Sequence, residues 1–265
     1  MKVDLLIQVR FNSSRLPGKV LLKILDKSII QHMHNRLSKC KKIDDIIFLT
    51  STNSEDDKIY NHCIENNFKC YRGSETNLLE RHYQCANLIK SNVIVRYTGD
   101  NPLADANKLD EMIDFYLKSN QTIMPCKYFN NCFPDGSDPI IFSIDELKDA
   151  YLNAESDFDK EHVHPYISRK YPESLSFDFG IKQENYQNLN LSNLHLSLDT
   201  IYDFNIIKNI YENIYPNNNN FSISDVLDYL EEELSNKDSI VSKLFEEQLN
   251  FSTKFTFELN SGAKL

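Results

Sequence analysis

Near its amino terminus the chain reads Gln8-Val9-Arg10-Phe11-Asn12-Ser13-Ser14-Arg15-Leu16-Pro17-Gly18-Lys19. An apolar run, residues 3–9, leads into this stretch and predicts a buried strand. The loop that follows carries three cations, Arg10, Arg15 and Lys19, together with small residues that let backbone N–H groups approach a ligand. A loop of this composition at the carboxyl end of a strand suits a polyphosphate, and a solvated basic loop is the alternative.

Apolar runs alternate with helical patterns over the first 120 residues. The predicted strands after the first are residues 46–50, 70–72 and 93–98, and the predicted helices include residues 78–89 and 105–117. This alternation predicts an α/β fold with a Rossmann-like, mostly parallel sheet flanked by helices. Arg10, Ser51, Ser74 and Asp100 all follow strands, so we expect them at the sheet edge where such folds bind ligands.

The regular alternation of strands and helices ends after residue 121. Shorter strands are predicted at residues 122–124, 139–142 and 174–177, with helices at 144–153 and 161–170 between them. We interpret residues of about 122–180 as a small α+β insertion, after which the chain returns to the main sheet at 195–198. Helices are then predicted at 201–214 and 223–234, and the tail from residue 250 is either a late strand or a disordered end. The predicted organisation is a domain of residues 1–215 and a C-terminal helical extension and tail, 216–265.

Composition excludes several classes of protein. The net charge of −10 argues against nonspecific nucleic-acid binding, which needs a basic face. No apolar run approaches the length needed to span a bilayer, and the first residues do not form a signal peptide. Six cysteines form no Cys-x-x-Cys pair, so no zinc or redox motif is indicated. We therefore expect a cytoplasmic protein with reduced thiols that binds neither nucleic acid nor membrane.

Two aspartates stand out as candidate ligands for a divalent cation. Asp100 directly follows a predicted strand and a glycine, a placement that favours metal binding over capping of the helix that begins near Asp105. Asp199 also follows a predicted strand and precedes a helix. Taken alone, it is typical of an ordinary N-terminal helix residue.

These segments together resemble the cytidylyltransferases that activate acidic sugars, the CMP-KDO and CMP-acylneuraminate synthetase-like enzymes. The likeness is greatest to the spore-coat polysaccharide branch. The matching motifs are Arg10 with Ser13-Ser14-Arg15-Leu16-Pro17-Gly18-Lys19, Gly99-Asp100-Asn101-Pro102-Leu103, and Asp199-Thr200-Ile201-Tyr202-Asp203-Phe204. Ile201 stands where the family usually has proline. The resemblance extends over residues 3 to about 214.

The resemblance implies roles for individual residues. It implies Arg10, Lys19, Asp100 and Asp199 as catalytic residues, with Mg²⁺ held between the two aspartates. The residues assigned to the nucleotide are Gln8, Val9, Arg10, Ser13, Arg15, Lys19, Ser51, Ser74 and Arg81. For Arg81 the alternative is a solvated cation on the helix surface. Asp138, Glu161 and His162 are assigned to the acceptor, although Pro139-Ile140 replaces a Val-Glu pair of the spore-coat branch and a polar turn with a capped helix start is the alternative.

The implied reaction is transfer of CMP from CTP to a sugar, expected to be an acidic keto-sugar, with release of pyrophosphate, for surface polysaccharide or glycan synthesis. Alternatives are a nucleotidyltransferase that acts on a sugar phosphate to give a CDP-linked product, and a non-catalytic nucleotide-binding subunit. A homodimer built through the insertion is also expected, because a small subdomain cannot easily bury so many apolar residues. These residues are Ile123, Met124, Phe129, Phe133, Ile140, Ile141 and Phe142.

Overall fold

The computed structural model describes residues 1–119, 121–125, 139–174, 177–178 and 180–261. The strands are β1 (Val3–Gln8), β2 (Lys23–Ile24), β3 (Lys27–Ser28), β4 (Asp45–Ser51), β5 (Lys69–Gly73), β6 (Val93–Thr98), β7 (Ile123–Pro125) and β8 (Ile140–Ser143). The helices are α1 (Ile29–Leu37), α2 (Asp57–Glu65), α3 (Leu78–Leu88), α4 (Ala106–Lys118), α5 (Ile144–Asn153), α6 (Asp157–His162), α7 (Pro165–Lys170), α8 (Ile201–Ile214), α9 (Ile223–Ser235) and α10 (Ile240–Ser261).

One six-stranded sheet forms the centre of the molecule, with strand order β5-β4-β1-β6-β8-β7. The first four of these strands are parallel, and β1 lies between β4 and β6. Successive residues of β1 pack into opposite faces: Leu5 and Ile7 join one core cluster and Leu6 joins the other. Helices cover both faces of the sheet, so a central parallel strand is buried on both sides. This burial explains the continuous apolar run of β1. The α/β, mostly parallel architecture predicted from the sequence is confirmed.

The strands of the predicted insertion belong to the main sheet. β8 pairs antiparallel with β6, so that Ile141 lies opposite Val95, and β7 pairs antiparallel with β8. Ile123, Met124, Ile141 and Phe142 are completely buried in the core of the same chain, and Ile140 is nearly so. The expectation that these residues form a separate apolar subdomain is therefore wrong for all five. The reason is that the open edge of β6 takes β8 as its partner. Phe129 and Phe133 lie outside the described residues.

Three local predictions need correction. Residues 195–198 do not form a strand of the sheet; His195 makes one isolated bridge, because β8 already occupies the edge beside β6. The helix predicted over 161–170 is divided into α6 and α7, since Val163 adopts φ 71° and Pro165 starts the second helix. Of the strand predicted over 174–177, the central two residues lie outside the described part of the chain, and Ser174 and Phe177 are not in a strand.

The C-terminal helices pack onto the main core. Val226, Leu227 and Leu230 of α9 and Val241 of α10 belong to the same buried cluster as β1. The tail, which the sequence left open between a strand and a disordered end, continues α10 to Ser261. Within the described residues, no helix is both long and apolar enough to cross a membrane. The division at residue 215 stays a prediction.

Candidate active site

A cavity of about 290 Å³ opens at the carboxyl ends of β1, β4 and β6, the edge that the strand order predicts. Twelve of the residues assigned from the sequence line it: Gln8, Val9, Arg10, Ser13, Arg15, Lys19, Ser51, Arg81, Asp100, Glu161, His162 and Asp199. Ser74 does not line the cavity, but its carbonyl accepts a hydrogen bond from Arg81, which does. Asp138 lies outside the described residues. The tertiary structure thus brings six separate segments of the chain to one place.

Lys19 joins the two predicted metal ligands at the floor of this cavity. Its ammonium nitrogen lies 2.8 Å from Asp100 Oδ2 and 3.0 Å from Asp199 Oδ1. The side chain of Lys19 is 8% exposed, whereas those of Asp100 and Asp199 are 28% and 19% exposed. A buried cation therefore lies between two carboxylates and offsets part of their negative charge.

Asp199 carries two further contacts with basic groups. Arg15 Nη2 lies 2.9 Å from its Oδ2, and His195 Nε2 lies 3.5 Å from the same oxygen. Burial by itself would raise the pKa of Asp199, but the hydrogen bond to His195 and the charges of Lys19 and Arg15 outweigh it and hold the pKa well below the ordinary value. Asp199 is therefore ionised at any physiological pH. The sequence analysis did not identify His195 as a site residue. The one available signal was its position four residues before Asp199.

Arg10 differs from the other two cations of the loop. It is exposed and lines the cavity, and within the described part of the chain it forms no hydrogen bond or ion pair. Its guanidinium is thus available to an anion that enters the cavity, whereas Arg15 and Lys19 are already engaged with carboxylates.

A buried carboxylate that the sequence did not single out holds the loop in place. Asp56, just before α2, accepts hydrogen bonds from the backbone N–H of Phe11 at 2.7 Å and of Ser51 at 3.0 Å. Burial tends to raise the pKa of Asp56, but the hydrogen bonds from Ser51 and Phe11 lower it overall. Asp56 therefore ties the cation-bearing loop to the end of β4 as a permanent anion. Its position among three acids at a helix start was the one available signal.

Arg81 is not the solvated cation that the sequence allowed. The residue is 3% exposed, and its guanidinium donates to the carbonyls of Ser74 and Glu75. These contacts hold the segment after β5 against α3, at the side of the cavity away from Asp199. Burial lowers the pKa of the Arg81 guanidinium, and the negative charges of Asp56 and Glu75 offset part of this effect.

Glycine before Asp100 is required by packing. A Cβ atom on Gly99 would lie 2.3 Å from Val9 Cγ1 and 3.0 Å from the carbonyl oxygen of Gln8. The ends of β1 and β6 therefore approach more closely than any side chain permits. This close approach brings Asp100 toward the loop that carries Lys19.

The donor set at the floor of the cavity fits a hard divalent cation that shares its ligands with a substrate. Among the described residues there is no group of three or more His, Cys, Asp or Glu side chains placed to hold a metal. Asp100 and Asp199 supply two carboxylates, and both already converge on one cation, the Lys19 ammonium. Mg²⁺ is commonly held by one or two carboxylates together with phosphate oxygens and water.

Comparisons with known proteins agree with the geometry. A family model described as cytidylyltransferase matches residues 5–254, which extends beyond the resemblance seen in the motifs. The spore coat polysaccharide biosynthesis protein SpsF of Bacillus subtilis is 31% identical over 208 residues, 77% of this chain and 83% of that protein. A 3-deoxy-manno-octulosonate cytidylyltransferase of Thermodesulfovibrio yellowstonii is 30% identical over 131 residues, 44% of this chain and 48% of that protein. A solved cytidylyltransferase structure from Leptospira borgpetersenii superimposes with a TM-score of 0.79 at 28% identity, over 89% of this chain and 96% of that chain.

Proposed function

The chain belongs to the cytidylyltransferase family and is a CTP-dependent nucleotidyltransferase, and on this premise we propose that it transfers CMP to an acidic sugar used for a surface polysaccharide. One observation carries the proposal: cations of one loop and two carboxylates from distant segments meet in a single cavity. The names of two relatives, a spore coat polysaccharide biosynthesis protein and a 3-deoxy-manno-octulosonate cytidylyltransferase, support the acceptor class.

The proposed reaction is an in-line displacement at the α-phosphorus of CTP by a hydroxyl of the sugar, with pyrophosphate as the leaving group. Positioning and neutralisation of charge do most of the work in such transfers, and the protein forms no covalent bond. Arg10 is free to bind the triphosphate as it enters. Lys19 and Arg15 then exchange their carboxylate partners for phosphate oxygens and stabilise the charge that develops on pyrophosphate.

Release of Lys19 and Arg15 leaves Asp100 and Asp199 beside a polyanion, and the two carboxylates would repel it without a cation between them. We therefore propose that Asp100 and Asp199 hold Mg²⁺ when CTP is bound. Mg²⁺ there supplies a Lewis acid for the α-phosphate and lowers the pKa of an attacking hydroxyl. In the ligand-free protein His195, Lys19 and Arg15 hold the pKa of Asp199 low, so its carboxylate is already ionised before the metal and CTP bind.

Glu161 and His162, at the end of α6, line the same cavity and are proposed to contact the acceptor. The protein is further proposed to act in the cytoplasm, where CTP is made, and as a homodimer. Neither proposal rests on the apolar residues of β7 and β8, which are buried within the chain.

The test is pyrophosphate release from each of the four nucleoside triphosphates with Mg²⁺, using 3-deoxy-manno-octulosonate, an acylneuraminate and a sugar 1-phosphate as acceptors. We expect release with CTP and a keto-acid sugar. Turnover of the sugar 1-phosphate alone would instead support a CDP-linked product. Binding of CTP with no turnover on any acceptor would support a non-catalytic subunit. Binding is read independently from thermal unfolding, since ligand at a hundred times its Kd adds about 2.7 kcal/mol of stability.

A further inference from the structure

The C-terminal helix contacts the segment that carries Asp199 through one buried side chain. Gln248 of α10 is 7% exposed, and its amide nitrogen donates to Asp203 Oδ1 at 2.6 Å and to the His195 carbonyl at 3.3 Å. A primary amide has two N–H donors. The two N–H groups of Gln248 thus donate to the two ends of a single segment, residues 195–203.

Asp203 connects Gln248 to the backbone of Asp199 through hydrogen bonds. Its Oδ2 accepts hydrogen bonds from the backbone N–H of Asp199 at 3.0 Å and of Thr200 at 2.6 Å, while Oδ1 accepts from Gln248. Asp203 is 2% exposed, so these partners take the place of water. A continuous path of hydrogen bonds therefore runs from α10 to the backbone of Asp199.

We infer that Gln248 is a positioning residue for the reaction, acting through Asp203 to fix the direction of the Asp199 carboxylate. Asp199 lies in an irregular segment rather than in a strand of the sheet, so its backbone depends on such contacts for its direction. Residues that orient a metal ligand typically change metal affinity 10–100-fold when they are lost. The inference rests on the proposed function where it assigns Asp199 to the metal, but the hydrogen-bond path exists without that assignment.

The experiment compares the full-length protein with Gln248→Met, which keeps length but removes both donors, and with Gln248→Glu, which keeps shape but faces Asp203 with a second carboxylate. Glu247→Met, on the exposed side of the same helix, is the matched control. Three quantities are measured: hydrogen exchange of the amides of residues 195–203, the Kd for Mn²⁺ with CTP present, and the Kd for CTP in EDTA.

In Gln248→Met we expect faster exchange at Asp199 and Thr200 and roughly 10-fold weaker Mn²⁺ binding. Affinity for CTP in EDTA should change less than affinity for Mn²⁺, because Arg10, Arg15 and Lys19 belong to the loop after β1 and not to residues 195–203. Gln248→Glu should show the same changes to a larger extent, and Glu247→Met neither.

Exchange and Mn²⁺ affinity that both stay at the parental values in folded variants would overturn the inference. Faster exchange with unchanged Mn²⁺ affinity would also overturn it, because the contact would then be structural only. If the parent protein itself bound no Mn²⁺ or CTP, the proposed function would fail. The exchange at Asp199 would still decide whether Gln248 holds this segment.

Discussion

A single ammonium group, that of Lys19, holds together two carboxylates that come from distant parts of the chain. Each carboxylate lies near 3 Å from the nitrogen, so loss of that charge leaves two anions facing one another in a half-buried place. The same group lines the cavity in which we propose that CTP binds. Lys19 therefore has a role in the ligand-free protein as well as in the reaction.

We predict that Lys19→Met lowers pyrophosphate release at least about 10-fold, since a hydrogen bond to a charged group contributes about 1.5–3 kcal/mol. Without CTP, added Mg²⁺ should raise the Tm of this variant more than that of the parent, because the metal replaces the missing cation. Arg10→Ala is the matched comparison: it should lose similar activity and gain no response to Mg²⁺, as Arg10 pairs with neither carboxylate. A Lys19→Met protein that responds to Mg²⁺ no more than the parent does would contradict this view.

Asp100→Asn and Asp199→Asn should lower Mg²⁺ affinity and turnover together, because each variant keeps the size of the side chain and removes a charge. The double variant should lose little more than the worse single variant, since residues that act as a unit are strongly non-additive. The measurement is pyrophosphate release against Mg²⁺ concentration.

Asp203, one turn beyond Asp199, is unsuitable as a control, because it is buried and supports the start of α8. The exposed Asp228 of α9 serves instead, as Asp228→Asn. Multiplicative losses at Asp100 and Asp199 would mean that the two carboxylates do not share one metal.

His82 of α3 predicts a dependence of stability on pH. Burial, together with the charges of Arg96 and Arg81, lowers the pKa of His82 to about 3. The unfolded chain, with an imidazole pKa of about 6.5, then binds more protons than the folded one in acid, so stability falls as the pH drops below about 6.5. Between pH 7 and pH 5 this effect amounts to about 2 kcal/mol.

His82→Gln stays neutral over that range and can still donate to the Leu78 carbonyl, which His82 contacts at 2.7 Å. The difference in unfolding free energy between pH 7 and pH 5, from urea denaturation, should therefore shrink by about 2 kcal/mol. The same difference in variant and parent would show that His82 is not buried as a neutral group.

At the scale of secondary-structure elements, the site depends on how closely β6 approaches β1. Gly99→Ala places a methyl group 2.3 Å from Val9 Cγ1, so the end of β6 must move and carry Asp100 with it. We expect a loss of about 1–3 kcal/mol in stability, as in other overpacked cores, and a larger relative loss of turnover. Urea denaturation and pyrophosphate release measure the two effects.

Gly180→Ala is the comparison for this prediction. Its φ of 72° makes alanine strained, but among the described residues, apart from those adjacent in the chain, no heavy atom lies within 4 Å of the added Cβ. It should lose about 1–2 kcal/mol through backbone strain and keep its activity. Equal loss of activity in the two variants would show that the loss in Gly99→Ala does not arise from movement of Asp100.

At the scale of the whole molecule, β8 and β7 continue the sheet beyond β6. Their apolar residues, which we expected at a dimer interface, therefore belong to the core of the chain itself. Large apolar side chains that remain exposed include Leu88 of α3, Leu152 of α5 and Phe158 of α6, each more than half exposed. These helices contact one another, since α3 packs against both α5 and α6. If the chain dimerises, this side of the molecule is available to do so.

We predict a homodimer at micromolar concentration, as the resemblance implies. Light scattering coupled to size-exclusion chromatography should return about twice the chain mass of 31.0 kDa. Phe158→Asp tests the surface, because a charge at an interface core is unfavourable, and Asp228→Asn on α9 is the control. A monomeric parent protein would contradict the prediction.

Local patterns were enough to predict the strand and helix alternation and the ligand edge, and the resemblance of short motifs to a known family implied most of the site residues. Continuous apolar runs such as residues 3–9 identify strands buried on both faces, and strand ends in a parallel sheet meet at one edge. The motifs around Lys19, Asp100 and Asp199 needed only short spans of sequence to be recognised. Long, strongly periodic segments such as α5 and α8 agree with their predicted bounds, because their own residues satisfy their backbone hydrogen bonds.

The remaining features depend on contacts between segments that are far apart in the chain. Nothing near residues 195–198 indicates that β8 already occupies the sheet edge, so the strand prediction failed there. Likewise, the ammonium of Lys19 between two carboxylates, Asp56 beneath the loop and Gln248 beside Asp203 are pairings that no local propensity records. They arise because buried charged and polar groups must find partners wherever the folded backbone brings them together.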